Sequence, residues 1–348
     1  MAGKGLGIYI YQVDPDTGNL THVSTTGGLI NPTFLVLAPA KYRLYAVNEI
    51  SSAAGDSGRV SALAIDPLTH ELTLLNSQSS HGFSPCYVSL DPTGRYLLAA
   101  NYESGNLCIL PILEDGRLGQ ASDVVQLHGS GPHERQEGPH AHMIRPGPQG
   151  RHLFAVDLGS DRIFAYRLEL DRGKLIPADP PWLQLEPGTG PRHLSFQPNG
   201  RFAYVVGELN STVTLMHFDG QRGLLQVQQT LSTLPDDYTG HNQSAEIQLA
   251  PSGRFVYVSN RGHDSLAIYA VDQATGRLSL TGHEPTRGKV PRHFVIDPSG
   301  SLLLVANQDS DNIVAFEIDA LSGELEATGQ LIETPTPVCL LLNQGITI

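Results

Sequence analysis

Residues 84–118 read SPCYVSLDPTGRYLLAANYESGNLCILPILEDGRL, and the same pattern returns three times downstream. The copies are GPRHLSFQPNGRFAYVVGELNSTVTLMHFDGQRGLL (190–225), SAEIQLAPSGRFVYVSNRGHDSLAIYAVDQATGRL (244–278) and VPRHFVIDPSGSLLLVANQDSDNIVAFEIDALSGEL (290–325). Weaker copies begin at Asn31 and at Glu137, and TPVCLLL (336–342) repeats the opening segment alone. Within each unit, short β-branched and aromatic runs alternate with Asp-Pro-x-Gly, Asx-rich and Asp-x-x-x-Gly turns. A four-stranded antiparallel meander, strands a to d, requires that alternation. No 3.6-residue periodicity competes with it.

The residue after the pre-strand proline, or its equivalent, marks the register: Thr33, Cys86, His142, Arg192, Ala245, Arg292 and Val338. The intervals run from 46 to 56 residues, the length of a four-stranded propeller blade. Seven markers predict an all-β, seven-bladed β-propeller occupying 1–348 as one domain. The last unit stops after strand a, whereas GIYIYQVDPDTGNLTHVS at the start reads as strands c and d. The two ends are therefore expected to share the closing blade, which removes free sheet edges. Its strand b has no candidate before Gly7, and only the terminal GITI could stand in.

Composition narrows the function. Lys and Arg number 22 against 35 Asp and Glu, a formal charge of -13, so nucleic acid and anionic lipid surfaces are not expected partners. An anionic small molecule would need basic residues gathered locally against that field. Cys86, Cys108 and Cys339 are odd in number and lack CxxC spacing, which indicates neither a disulfide framework nor a zinc site and suits a reducing cytoplasm. Polar turn residues interrupt the start before a signal-peptide core forms, so a soluble, non-exported protein is expected. Oligomeric state is not legible.

A repeat needs the same structural residue in every blade, so departures from the repeat mark function. Strand a lines the channel and strand b returns antiparallel, which brings the start of the first and the end of the second to one face. The third residue of strand a is always apolar, and Leu35, Val88, Ile144, Leu194, Ile247, Phe294 and Leu340 are expected in the core. The first position departs at His142, Arg192 and Arg292, and the second at His193, Glu246 and His293. After strand b the column reads Glu49, Tyr102, Leu158, Glu208, Arg261 and Gln308, mostly preceded by Asn or Asp. That Asn/Asp series reads as turn capping, with calcium ligation as a minor alternative opposed by the neighbouring arginines. The charged departures are either inter-blade ion pairs or a site, and His140 is either a partner of His142 or part of the entrance. As a site they suit lactone or ester opening: an imidazole or carboxylate activates water, and guanidiniums bind the anion and the developing oxyanion. Neither a G-x-S-x-G elbow nor an H-E-x-x-H helix is present, which favours direct attack by water.

The GPHAH segment, GPRHLSFQPNGRFAYVVGELNSTV, SNRGHDSLAIY and the seven-unit spacing resemble the seven-bladed propeller lactonase family. That family includes propeller-type 6-phosphogluconolactonases and the fungal carboxy-muconate lactonizing enzyme. The resemblance implies an acid/base role for His142, a catalytic Glu208, substrate-binding Arg192 and a second arginine at Arg261, with no metal or cofactor. It also implies one more strand before GIYIY than this chain carries. The expected substrate is an anionic sugar-acid lactone, 6-phospho-D-glucono-1,5-lactone first. Arg292, His193, His293, Glu246 and His140 complete the expected pocket. A muconate cycloisomerase and a non-enzymatic propeller scaffold are the alternatives, the latter opposed by missing Trp-Asp dipeptides and a single tryptophan, Trp182.

Overall fold

The computed structural model describes residues 3–14, 17–38 and 42–343. It forms six four-stranded antiparallel sheets and one two-stranded sheet, each sheet built from strands consecutive in sequence. The unit at 84–118 becomes strands Pro85–Leu90, Tyr96–Asn101 and Asn106–Pro111, followed by an outer strand Asp123–Gln126. The two-stranded sheet pairs β1 (Gly7–Val13) with β2 (Leu20–Gly27), as the c and d reading of the amino end requires. Among the described residues no helix is long and apolar enough to cross a membrane.

The recurring turns are explained by their hydrogen bonds. In Asp91-Pro-Thr-Gly the Asp91 carboxylate accepts from the backbone N–H of Thr93 and Tyr96, and Gly94 takes φ +65°, a left-handed value that an L side chain resists. Strand b residues are buried on both faces, so they read as apolar runs rather than alternating ones. Neighbouring blades are pinned at the rim. Tyr45, Tyr204 and Tyr257 each donate a hydroxyl to a turn carbonyl of the next blade, at Gly116 (3.1 Å), Gly276 (2.9 Å) and Gly323 (2.9 Å). Arg43, Arg201 and Arg254, at or just ahead of the first residue of strand b, reach carbonyls of the same turns at Asp115, Ala274 and Ala320.

The closing unit departs from expectation. Residues 336–342 form no strand: they pair with none of the described strands, and the open edge of β1 lies across a cavity from them. Leu340 and Leu342 instead pack with Tyr11 and Val13 of β1 against Leu302, Leu304 and Ile313. Between this segment and β1 lies a cavity of about 1150 Å³, lined by both and also by Arg292 and Glu49. Five of the seven expected core residues are buried, while Leu35 and Leu340 are half-buried because they face that cavity. The alternative strand at GITI lies outside the described residues.

Candidate active site

Five successive blades carry the same irregularity at the start of strand a. The pairing register slips by one residue between Pro85 and Tyr87, Ala141 and Met143, Pro191 and Leu194, Ser244 and Ile247, and Pro291 and His293. The marker residues Cys86, His142, Arg192, Ala245 and Arg292 all fall within these bulges. A β-bulge re-aims side chains that a regular pleat would send to opposite faces. Opposite the bulges, the residue after strand b is tied to the backbone ahead of strand a: Tyr102 N–H to Ser84, Leu158 to His140, Glu208 to Gly190, Gln308 to Val290. The two sequence columns therefore share one mouth of the channel.

Glu208, 2 % exposed, sits under three arginines. Arg135 Nη1 is 2.7 Å from Oε1, while Arg261 Nη2 at 2.9 Å and Arg192 Nε at 3.2 Å approach Oε2. Arg192 Nε is close but off the hydrogen-bonding line, and so remains without a hydrogen-bond partner. Backbone carbonyls fix two of these arginines: Arg192 Nη1 donates to Ala245 at 2.7 Å, and Arg261 Nε to Gln243 at 3.1 Å. Burial alone would raise the Glu208 pKa, but Arg261, Arg192 and Arg135 overcome it and hold the carboxyl at about 2. Burial and the charges of Arg261 and Arg292 lower Arg192 to about 9, which leaves it a cation at neutral pH.

A second cluster lies beside the first. Glu246 Oε2 is 2.8 Å from His193 Nδ1 and 3.3 Å from His293 Nε2. Leu340 N–H donates to His293 Nδ1, which assigns the proton of that ring to Nε2, facing Glu246. Burial raises the Glu246 carboxyl against the opposing pull of His293. Arg192 Nη1, 3.4 Å from His193, joins the two clusters. His142 is buried between Tyr102 and His193, with edge-on ring contacts at 5.6 and 5.1 Å, and its Nδ1 has no partner. Burial, then Arg192, His193 and Arg292, depress its pKa well below 6.5, so the ring is a neutral imidazole at pH 7. His140 stacks on Tyr102 at 4.6 Å and faces Glu137 at the entrance.

The structure thus brings together all nine residues singled out from the sequence, and two features of the arrangement bear on their roles. No hydrogen bond joins His142 to Glu208, because Glu208 is already engaged by arginines. Arg192 and Arg261 are ion-paired, whereas Arg292 makes no hydrogen bond or ion pair among the described residues. The Asn series caps turns as expected: Asn48, Asn101, Asn260 and Asn307 donate to the backbone of the incoming connection at Ile30, Ser80, Thr233 and Thr286. Among the described residues no group of three His, Cys, Asp or Glu is placed to hold a metal ion. Arg135 escaped the sequence reading because the connection between Gln126 and Ala141 belongs to no repeat column. The longest marker interval, 56 residues from Cys86 to His142, was its one trace.

Comparison with known proteins bears on this constellation. The family model described as lactonase, 7-bladed beta-propeller, matches residues 1–342. The chain belongs to the seven-bladed β-propeller lactonase family. It is an enzyme of the carboxylic ester hydrolase class. A 6-phosphogluconolactonase of Bacillus subtilis is 38 % identical over 295 residues, spanning 85 % of this chain and 82 % of its own. Another 6-phosphogluconolactonase, from Formosa agariphila, is 35 % identical over 300 residues, spanning 84 % of this chain and 83 % of its own. The solved structure of a periplasmic gluconolactonase of Pseudomonas aeruginosa superposes with a TM-score of 0.91 at 35 % identity, covering 96 % of this chain and 94 % of that one. The lactonase fold thus extends over the six regular blades and the irregular closing unit together.

Proposed function

We propose that the protein hydrolyses a phosphorylated sugar-acid lactone, 6-phospho-D-glucono-1,5-lactone, to 6-phosphogluconate, the lactone-opening step of the oxidative pentose phosphate route. The observation that carries this reading is the neutral His142, whose Nδ1 has no hydrogen-bond partner among the described residues, sharing one mouth with Arg292, which makes no ion pair among them, and with the Arg192–Arg261 pair. His142 takes a proton from water, which attacks the lactone carbonyl carbon. Arg192 and Arg261 face the developing oxyanion, whose charge they offset in a site screened from bulk water. Collapse of the tetrahedral intermediate breaks the ring C–O bond, and the proton held by His142 passes to the departing ring oxygen. Arg292 holds the anionic group of the substrate.

Glu208, ionised and engaged by three guanidiniums, orients the arginines; the base is His142. Glu246 orients His193 and His293 alongside. The same reading treats 1–348 as one propeller domain whose seventh blade takes strands c and d from β1 and β2 and its inner segment from 336–342. Three unpaired cysteines support a cytoplasmic location, although the Pseudomonas relative is named as periplasmic.

The test compares initial rates on 6-phosphoglucono-lactone, unphosphorylated glucono-1,5-lactone and carboxy-muconate, with spontaneous opening subtracted. Preference for the phosphorylated lactone supports the proposal. A rate no faster than the spontaneous one on either lactone overturns it, and turnover of muconate alone makes the protein a cycloisomerase.

A further inference from the structure

Three arginines meet Glu208, and they are not equivalent. Arg192 and Arg261 are each locked by a backbone carbonyl and are buried, with side chains 4 % and 10 % exposed. Arg135 has a side chain 32 % exposed and lies over a carboxylate that is only 3 % exposed. Apart from Glu208, its one side-chain partner among the described residues is the Tyr102 hydroxyl at 2.7 Å. The backbone beneath it is fixed. Gln136 pegs the connection by donating Nε2 to Leu158 O and Asp161 Oδ1, both at 2.8 Å, and its own carbonyl accepts from Gly131 N–H. The guanidinium can therefore turn about its own side chain while the loop stays in place.

The charges supply the reason for it to turn. Four guanidiniums, three on Glu208 and Arg292 without an ion pair among the described residues, face the two buried carboxylates Glu208 and Glu246, so cations outnumber the buried carboxylates of the cluster inside a protein of formal charge -13. An incoming dianion outcompetes a single carboxylate oxygen for Arg135, the one of the three arginines on Glu208 that no backbone carbonyl restrains among the described residues.

We propose that Arg135 is a specificity-determining residue that moves from Glu208 Oε1 and Tyr102 to the anionic group of the substrate, closing the mouth over it. This rests on the lactonase reading above, and it assigns to the connection between Gln126 and Ala141 the task of telling a phosphorylated lactone from a neutral one. Tyr102 is the positioning residue that returns the guanidinium to Glu208.

The experiment measures kcat and KM on 6-phosphoglucono-lactone and on glucono-1,5-lactone for wild type, Arg135→Gln, Arg135→Lys and Tyr102→Phe, with melting curves to confirm folding. A parallel titration with the product 6-phosphogluconate reads anion binding without turnover. For Arg135→Gln, KM on the phosphorylated lactone rises about 10- to 100-fold and product affinity falls equally, the loss expected for a charge-assisted bidentate contact, while the neutral lactone changes less than about 3-fold. Arg135→Lys recovers part of the loss, because it keeps the charge but not the fork. Equal losses on both lactones, or unchanged product affinity in a folded Arg135→Gln variant, overturn the proposal. If the wild type opens neither lactone, the hydrolytic reading fails, and the product titration still decides the fate of Arg135.

Discussion

Replacing Glu208 by Gln removes the one carboxylate among the described residues that is ion-paired with Arg135, Arg192 and Arg261, while keeping the side chain's size. The cost follows in two independent ways. Removing one partner of a buried ion pair costs about 3–5 kcal/mol, because the partner charge stays behind uncompensated. Here Arg192 and Arg261 carry most of that, since Arg135 is a third exposed and its share is screened by solvent. By linkage, a carboxyl held at about 2 in the folded protein against an ordinary 4.5 contributes roughly 3 kcal/mol at neutral pH. The sign is that of a depressed acid: the contribution is complete above pH 4.5 and fades as pH falls toward 2. Urea unfolding followed by far-ultraviolet circular dichroism at pH 7 should therefore show Glu208→Gln less stable by about 3 kcal/mol. The gap should shrink steadily over titrations at pH 4.5, 4 and 3.5. A variant within about 1 kcal/mol of wild type at pH 7, or a gap that stays constant down to pH 3.5, would refute the electrostatic account of this cluster.

Further outcomes are expected elsewhere in the molecule. His142→Ala should keep its melting temperature within a few degrees and lose about 10²- to 10⁴-fold in kcat on the preferred lactone. Because its imidazole titrates well below 6.5, the wild-type rate should show no inflection between pH 6 and 8; an inflection near 6.5 would assign the base elsewhere. Arg292→Ala, which breaks no ion pair among the described residues, should leave urea stability within about 0.5 kcal/mol; a steady-state assay should show KM for the phosphorylated lactone raised at least about 10-fold. Tyr257→Phe leaves the Gly323 carbonyl without its buried donor and should cost about 1–2 kcal/mol in urea. Combined with Tyr204→Phe, whose partner is Gly276 in a different blade, the losses should add.

The blade architecture was readable because repetition makes the signal redundant. Any one Asp-Pro-x-Gly turn is a weak cue, but its return at Asp91 and Asp297 with the same following strand sets register for the whole ring. Where repetition stopped, legibility stopped too. Residues 336–342 carry the right letters for an inner strand, yet a strand exists only through its neighbour's hydrogen bonds, and no described residues supply them. Arg135 lies in a connection that no other blade copies, so no column comparison reached it. The side chain it meets, Glu208, was visible in a mixed column and through the family resemblance, and neither of these reaches position 135.

The deepest gap between letters and structure lies in the channel column. The sequence singles out adjacent residues, Arg192 with His193 and Arg292 with His293, whereas a regular strand would turn one of each pair away from the other. On that rule half of the predicted site ought to have been wrong. The register slips resolve the conflict: between Pro191 and Leu194 two residues stand opposite Val206 alone, and the extra residue lets Arg192 reach Glu208 while His193 reaches Glu246. The same slip recurs around Cys86, His142, Ala245 and Arg292, and no slip separates the strand Leu35–Ala38 from its partner. A bulge is thus the repeated structural element, and the varying residues placed on it are what chemistry selects. In these five blades the inserted residue lets two adjacent side chains of one short strand point into the same cup, and with His140, Glu208, Arg261 and Arg135 supplied from outside the bulges the channel end gathers two carboxylates, four imidazoles and four guanidiniums.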